Sequence, residues 1–148
     1  MIRKGFRNLA IGMATCMMLL QSFPALALEN TEGHWQMEEK AWTFVNTKGE
    51  KQKGWIVSEG AWYLLKEDSA TLQSGWWKSP SGKWFFFNTA HDGSFGKLCT
   101  GWQWIDGYCY YFEDQDSGHL GELLTGGTKD GYTVDEDGRW TKDGKPVY

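Results

Sequence analysis

The chain has 148 residues, with 15 Lys and Arg against 19 Asp and Glu, a formal net charge of −4 and 16% aromatic residues. That length accommodates one small domain, and the acidic balance excludes charge-driven binding to nucleic acid or to an anionic membrane.

The first element in chain order is a leader. Arg3, Lys4 and Arg7 form a basic start, Leu9 to Leu20 is mostly apolar, and Gln21 to Pro24 is a short polar break. Ala25-Leu26-Ala27 then has the small-x-small pattern that signal peptidase cuts. These parts predict a secretory signal peptide over residues 1–27, because the apolar run is too short for an anchor and no stop-transfer flank follows it. Cys16 lies inside the apolar run instead of after it, which argues against lipidation. The mature chain, 28–148, then holds 12 basic and 19 acidic residues, a net −7 that tolerates a cationic ligand. It also holds 22 aromatics, all ten Trp among them, against 14 Leu, Ile and Val, with 17 glycines. Ordinary interiors reverse that ratio. Many tight turns and little aliphatic core are expected.

The mature chain repeats itself. Gly54-Trp55, Gly75-Trp76 and Gly101-Trp102 share a start, and Gly33-His34-Trp35 is a looser version, with the tryptophans 20, 21 and 26 residues apart. After each start comes a short polar stretch and then an aromatic cluster: Trp42-Thr43-Phe44, Trp62-Tyr63-Leu64, Trp84 to Phe87, and Tyr108 to Phe112. The units run over about residues 33–53, 54–74, 75–100 and 101–125, with a degenerate fifth over 126–148.

Each unit has the grammar of a β-hairpin. Asp106-Gly107 separates two β-prone runs, and glycine supplies the positive φ that a primed turn needs. Asp92-Gly93, Asp130-Gly131, Asp137-Gly138 and Asp143-Gly144 repeat that dipeptide, while Glu59-Gly60 and Ser81-Gly82 take its place in their own units. Trp, Tyr and Phe favour strands, and a lone hairpin is marginal in water. Stacking would bury the aromatic faces. The expected fold is all-β, an elongated solenoid of four or five stacked hairpin repeats, with residues 88–97 and 113–122 as longer outer loops.

The case for catalysis is poor. His34, His91 and His119 fall in loops or unit starts without zinc-site spacing. Glu38-Glu39 and Glu67-Asp68 read as solvated acids in preference to a glycosidase pair. Asp114 to Gly118 and Asp135 to Gly138 resemble the start of a calcium loop but lack its later bidentate glutamate, so they read as turns. Export permits a disulfide between Cys99 and Cys109, and the alternative is a pair of small packing residues. No cofactor is expected, and the chain reads as non-enzymatic.

The order Gly-Trp, four or five residues, Gly, x, aromatic-aromatic resembles the cell-wall-binding repeats of Gram-positive surface proteins. These are the choline-binding repeats and the related glucan-binding repeats. Gly54-Trp55 through Trp62-Tyr63 is the closest copy, and the resemblance covers about residues 33–148. It implies cages between consecutive hairpins, built from two aromatics of one unit and one of the next. Carried over, Trp35 and Trp42 join an aromatic near Tyr63. Trp55 and Trp62 join one near Phe85 or Phe86, and Trp76 and Trp84 one near Tyr110 or Tyr111.

Several residues depart from the pattern. One extra residue precedes Trp84, Cys109 stands where unit four should have its second tryptophan, and Thr43 replaces a tyrosine. Met37 is the only methionine after the leader, so a thioether wall is mostly missing. Trp104 and Trp140 are assigned to the core, and Trp77 stays unassigned.

Aromatic faces suit a quaternary ammonium, which cannot donate a hydrogen bond and is attracted by ring quadrupoles. They also suit the C–H faces of sugars. The resemblance implies a secreted, wall-associated protein holding choline-bearing teichoic acid or a cell-wall polysaccharide. External or host carbohydrate, or protein-protein contact by a structural array, are the alternatives.

Overall fold

The computed structural model describes residues 29–148, so the leader assigned to residues 1–27 lies outside the described residues. The described residues form strands, turns and connectors. Four two-stranded antiparallel hairpins come first. They are β1 (His34–Glu38) with β2 (Ala41–Val45), β3 (Gly54–Ser58) with β4 (Ala61–Leu65), β5 (Gly75–Lys78) with β6 (Trp84–Phe87), and β7 (Gly101–Ile105) with β8 (Tyr108–Phe112). A four-stranded meander closes the chain: β9 (Gly127–Lys129), β10 (Tyr132–Val134), β11 (Trp140–Lys142) and β12 (Lys145–Pro146). No helix among these residues is long and apolar enough to cross a membrane.

The turns follow the dipeptides only in part. Glu59-Gly60, Asp106-Gly107, Asp130-Gly131 and Asp143-Gly144 take positive φ at both residues, as primed turns require. Asp92-Gly93 instead lies inside a connector, with only Gly93 in the left-handed region. Asp137-Gly138 likewise belongs to the five-residue link between β10 and β11. The first hairpin turns on Glu39-Lys40, at φ 45° and 71°, without any glycine.

Register decides which rings meet. The leading tryptophans Trp35, Trp55, Trp76 and Trp102 lie opposite Phe44, Leu64, Phe86 and Tyr111. Two residues further on, Met37, Val57, Lys78 and Trp104 lie opposite Trp42, Trp62, Trp84 and Cys109. The extra residue before Trp84 is absorbed by the loop between β5 and β6, so Trp84 keeps the register of Trp42 and Trp62. Because side chains alternate between faces and opposed residues share one, each of the first three hairpins puts its leading and trailing tryptophans on a single face. The other face of each hairpin presents Thr43, Tyr63, Phe85 or Tyr110.

The two kinds of face pack on each other in succession. Phe44 and Trp35 of the first hairpin meet Ile56, Tyr63 and Leu65 of the second. Leu64 and Trp55 of the second meet Phe85, Phe87 and Trp77 of the third. Trp77 is thereby a packing residue. Trp76 of the third meets Tyr110 and Phe112 of the fourth, and Trp102 of the fourth meets Tyr132 of the terminal sheet.

The connectors stitch these layers. Leu72, Leu98 and Leu123 donate their backbone N–H groups to the carbonyls of Trp42, Trp62 and Trp84, one hairpin back. Each leucine also sits where the next connector has no Cβ. A methyl on Gly96, Gly121 or Gly138 would come within 2.5, 2.8 or 2.9 Å of Leu72, Leu98 or Leu123.

Two expectations are corrected. The fifth unit, read as degenerate, is a four-stranded sheet in which the returning segment β11 pairs with both β10 and β12. Trp104, assigned to the core, is 61% exposed, and its directly opposite partner is the small Cys109. Trp140 is half-buried. The cysteines, left open, are free thiols: Cys99 is half-buried, Cys109 is buried, and burial raises the pKa of both.

Candidate functional site

At the edge of each layer, the rings that stabilise the stack also leave hollows. In the first layer Trp35 stands edge-on to Tyr63, with ring centres 4.9 Å apart at 67°. Trp35, Trp42, Tyr63 and Leu72 line an open notch of about 340 Å³. Trp35 is fixed by a hydrogen bond from its Nε1 to Ser58 Oγ, 3.1 Å, and by packing on Phe44. Tyr63 is buried, and that burial, with the nearby Glu59 carboxylate second, raises its phenol pKa.

The third layer repeats this arrangement. Trp76 is 5.0 Å from Tyr110 at 76° and 6.2 Å from Trp84 at 90°. Together with Leu123 these rings line a notch of about 440 Å³. Trp84 is exposed, with Lys78 Nζ 5.5 Å from its ring centre. Burial likewise raises the Tyr110 pKa, ahead of the opposing influence of Arg139.

In the middle layer Trp55 meets Trp62 at 6.4 Å and 80°, and Phe85 at 5.6 Å and 65°. Leu98 packs against the same cluster. The geometry matches the other layers, but Phe85 is only 2% exposed and Trp55 is also held by Trp77 and Phe87. A larger hollow of about 640 Å³ lies elsewhere on Trp55, between Trp77 and the Lys66-Glu67-Asp68 loop. Its rings meet edge-on at 83°, and it does not include Trp62.

The third ring of each layer is therefore Tyr63, Phe85 or Tyr110. Phe86 lies on the opposite face and packs against Trp76. Tyr111 is buried beside Trp102, donating its hydroxyl to Asp114 Oδ1 at 2.7 Å, which lowers the Asp114 pKa.

Three groups lie outside the sequence-derived set. Leu72, Leu98 and Leu123 supply an aliphatic fourth wall, where the scarcity of methionine had suggested a missing one. Their sequence signal is a repeated small-x-Leu-x-x-Gly ahead of the next unit, as in Ala70 to Gly75, Gly96 to Gly101 and Gly121 to Gly126. Carboxylates rim the notches, with Glu59 at the first and Glu136 and Asp137 at the third. Finally, His91 stacks on Phe95 at 4.3 Å and 12°, and both reach the first notch from the connector after β6. That connector was expected to be only an outer loop.

Glu38 pairs with Lys51, and Asp135 Oδ1 accepts backbone N–H groups from Asp137 and Arg139. An aromatic notch with an aliphatic wall and an anionic rim can hold a weakly hydrated cation by ring quadrupoles, burial and long-range charge together.

No protein-family model matches the chain, and no curated protein matches it. Solved structures do. CbpF in complex with ipratropium is 28% identical, with 74% of this chain and 32% of that one covered at a TM-score of 0.63. Choline binding protein F from Streptococcus pneumoniae, in the presence of a peptidoglycan analogue, is 27% identical over 74% of this chain and 33% of that one, again at 0.63. A multimodular pneumococcal cell wall endolysin from phage Cp-1, complexed with choline, is 27% identical over 82% of this chain and 36% of that one, at 0.55. The chain thus spans about a third of the length of these three proteins.

Proposed function

We propose that this chain, 27–28% identical to choline binding protein F and to a choline-complexed endolysin, is a non-catalytic, exported protein that holds choline-bearing polymers of the cell wall. The hairpins stack as a solenoid, and the first and third junctions each offer a cage for one trimethylammonium group. The observation that carries this reading is the recurrence of one arrangement: two tryptophans of one hairpin, one ring of the next and a leucine around an open, acid-rimmed notch. Export follows from the leader motif of residues 1–27. Each cation-ring contact contributes about 0.5–2 kcal/mol depending on desolvation. A single notch binds weakly, and repetition along one chain supplies avidity.

The test is elution. Millimolar choline is expected to release the protein from choline-bearing cell walls and to change its tryptophan fluorescence saturably. Retention in choline, with no fluorescence response, contradicts the proposal.

A further inference from the structure

The first notch has a side that the third lacks. His91 and Phe95 close it from the connector after β6, and so from the hairpin beyond the pair that builds the cage. The two rings stack with centres 4.3 Å apart at 12°, and they stand with Trp35, Trp42 and Tyr63 around one hollow. This notch draws on three units instead of two.

The connector is held, so the ring pair has a fixed place. Asn88 Nδ2 donates to Ser94 Oγ at 2.7 Å, and Asn88 Oδ1 accepts the Ala90 N–H at 2.8 Å. The Gly96 N–H donates to the Asn88 carbonyl at 2.7 Å, and Gly96 lies against Leu72, a wall of the same notch. The connector after β8 is closed by matching bonds. There the Glu113 N–H reaches the Glu122 carbonyl and the Gly121 N–H the Glu113 carbonyl, as Asn88 reaches Lys97 and Gly96 reaches Asn88. In that register Asp116 and Leu120 take the places of His91 and Phe95. The loop thus forms without the ring pair, and folding alone does not account for it.

Chemistry gives the pair a role. A neutral imidazole and a phenyl ring extend the aromatic lining that a quaternary ammonium contacts. Histidine is also the side chain that ordinarily changes charge between about pH 5 and 8. Once protonated, His91 puts a second cation into the notch and competes with the ligand for Glu59, the carboxylate on its lining. The other charged and titratable groups around it do not offset this. On its own connector Asp92 is kept ionised by the Ser94 hydroxyl and N–H, with Lys97 nearby, and on β4 burial raises the Tyr63 pKa. The third notch has no imidazole on its lining; its charged neighbours are Glu136, Asp137 with its partner Arg139, and Lys78 over Trp84.

We propose that His91 and Phe95 are ligand-contacting residues of the first notch, which holds a quaternary ammonium while His91 is neutral and releases it as His91 gains a proton. This rests on the ammonium reading of the notches. The test is a choline titration of the full chain at about pH 8 and about pH 5.5. It is read separately at the indole N–H signals of Trp35 and Trp42 and of Trp76 and Trp84. Affinity at the first notch is expected to fall about fivefold at the lower pH, while the third changes less than about twofold. His91→Gln should abolish that difference between the notches. Phe95→Leu, which copies the sister connector, should weaken the first notch about threefold at the higher pH and leave the third unchanged. The proposal is overturned if the two notches respond to pH alike, or if His91→Gln keeps the pH dependence. It is also overturned if Phe95→Leu leaves the first notch as tight as before. In those cases choline still shifts both pairs of tryptophans and the wider reading stands. If choline shifts neither pair at either pH, the wider reading fails and this one with it.

Discussion

Gly96 joins stability to function at a single Cα. Its φ of 77° is one that L side chains reach at a cost of about 1–2 kcal/mol, and an added methyl would strike Leu72, itself a wall of the first notch. Gly96→Ala is therefore expected to destabilise the fold by roughly 1–3 kcal/mol and to weaken ligand binding by displacing Leu72. Denaturant unfolding and a choline titration on one sample check both. The tyrosines give a second residue-scale expectation. Tyr63, Tyr110 and Tyr111 ionise above the ordinary phenol value, chiefly through burial. Stability from these groups is fully present below that ordinary value, about 10, and is lost as pH rises above it. Near-UV circular dichroism should show an alkaline transition beginning above the ordinary phenol range, moved upward by Tyr63→Phe with Tyr110→Phe. An unmoved transition would contradict this.

Elements explain why each notch draws on two hairpins. Alternation puts a unit's tryptophans on one face and its third ring on the other, so only neighbours can complete a site. Within one face, depth then divides roles. Phe44 is fully buried, and Phe44→Ala is expected to cost about 3–5 kcal/mol of stability. Trp42, half-buried at the notch mouth, should instead lose binding: Trp42→Ala lowers affinity there by about 0.5–2 kcal/mol with a much smaller stability cost. Equal stability losses in the two variants would contradict the division. The hairpins and the paired tryptophans were legible in the sequence because Gly-Trp starts and turn dipeptides set the register. The leucine wall was missed although small-x-Leu-x-x-Gly recurs ahead of each next unit, because a lone aliphatic in a connector reads as a linker residue beside the aromatic pairs. Trp104 was misassigned because unit position alone does not show that its opposite residue is a small cysteine. The terminal sheet was hidden because its returning segment is a connector elsewhere and here becomes β11 by pairing with both β10 and Lys145–Pro146.

At the scale of the molecule, the repeating layers turn weak sites into joint retention. Disabling two notches together, by Trp42→Ala with Trp84→Ala, is expected to reduce retention on a choline-bearing surface far more than either change alone, because linked sites raise each other's effective concentration. The most direct measurement is a choline titration followed by the indole N–H resonances of the ten tryptophans. Signals of Trp35, Trp42, Trp76 and Trp84 should shift saturably while that of Trp104 stays in place. If those four remain fixed at saturating choline, or if only Trp104 and Trp140 respond, the notches are packing voids and the account is wrong.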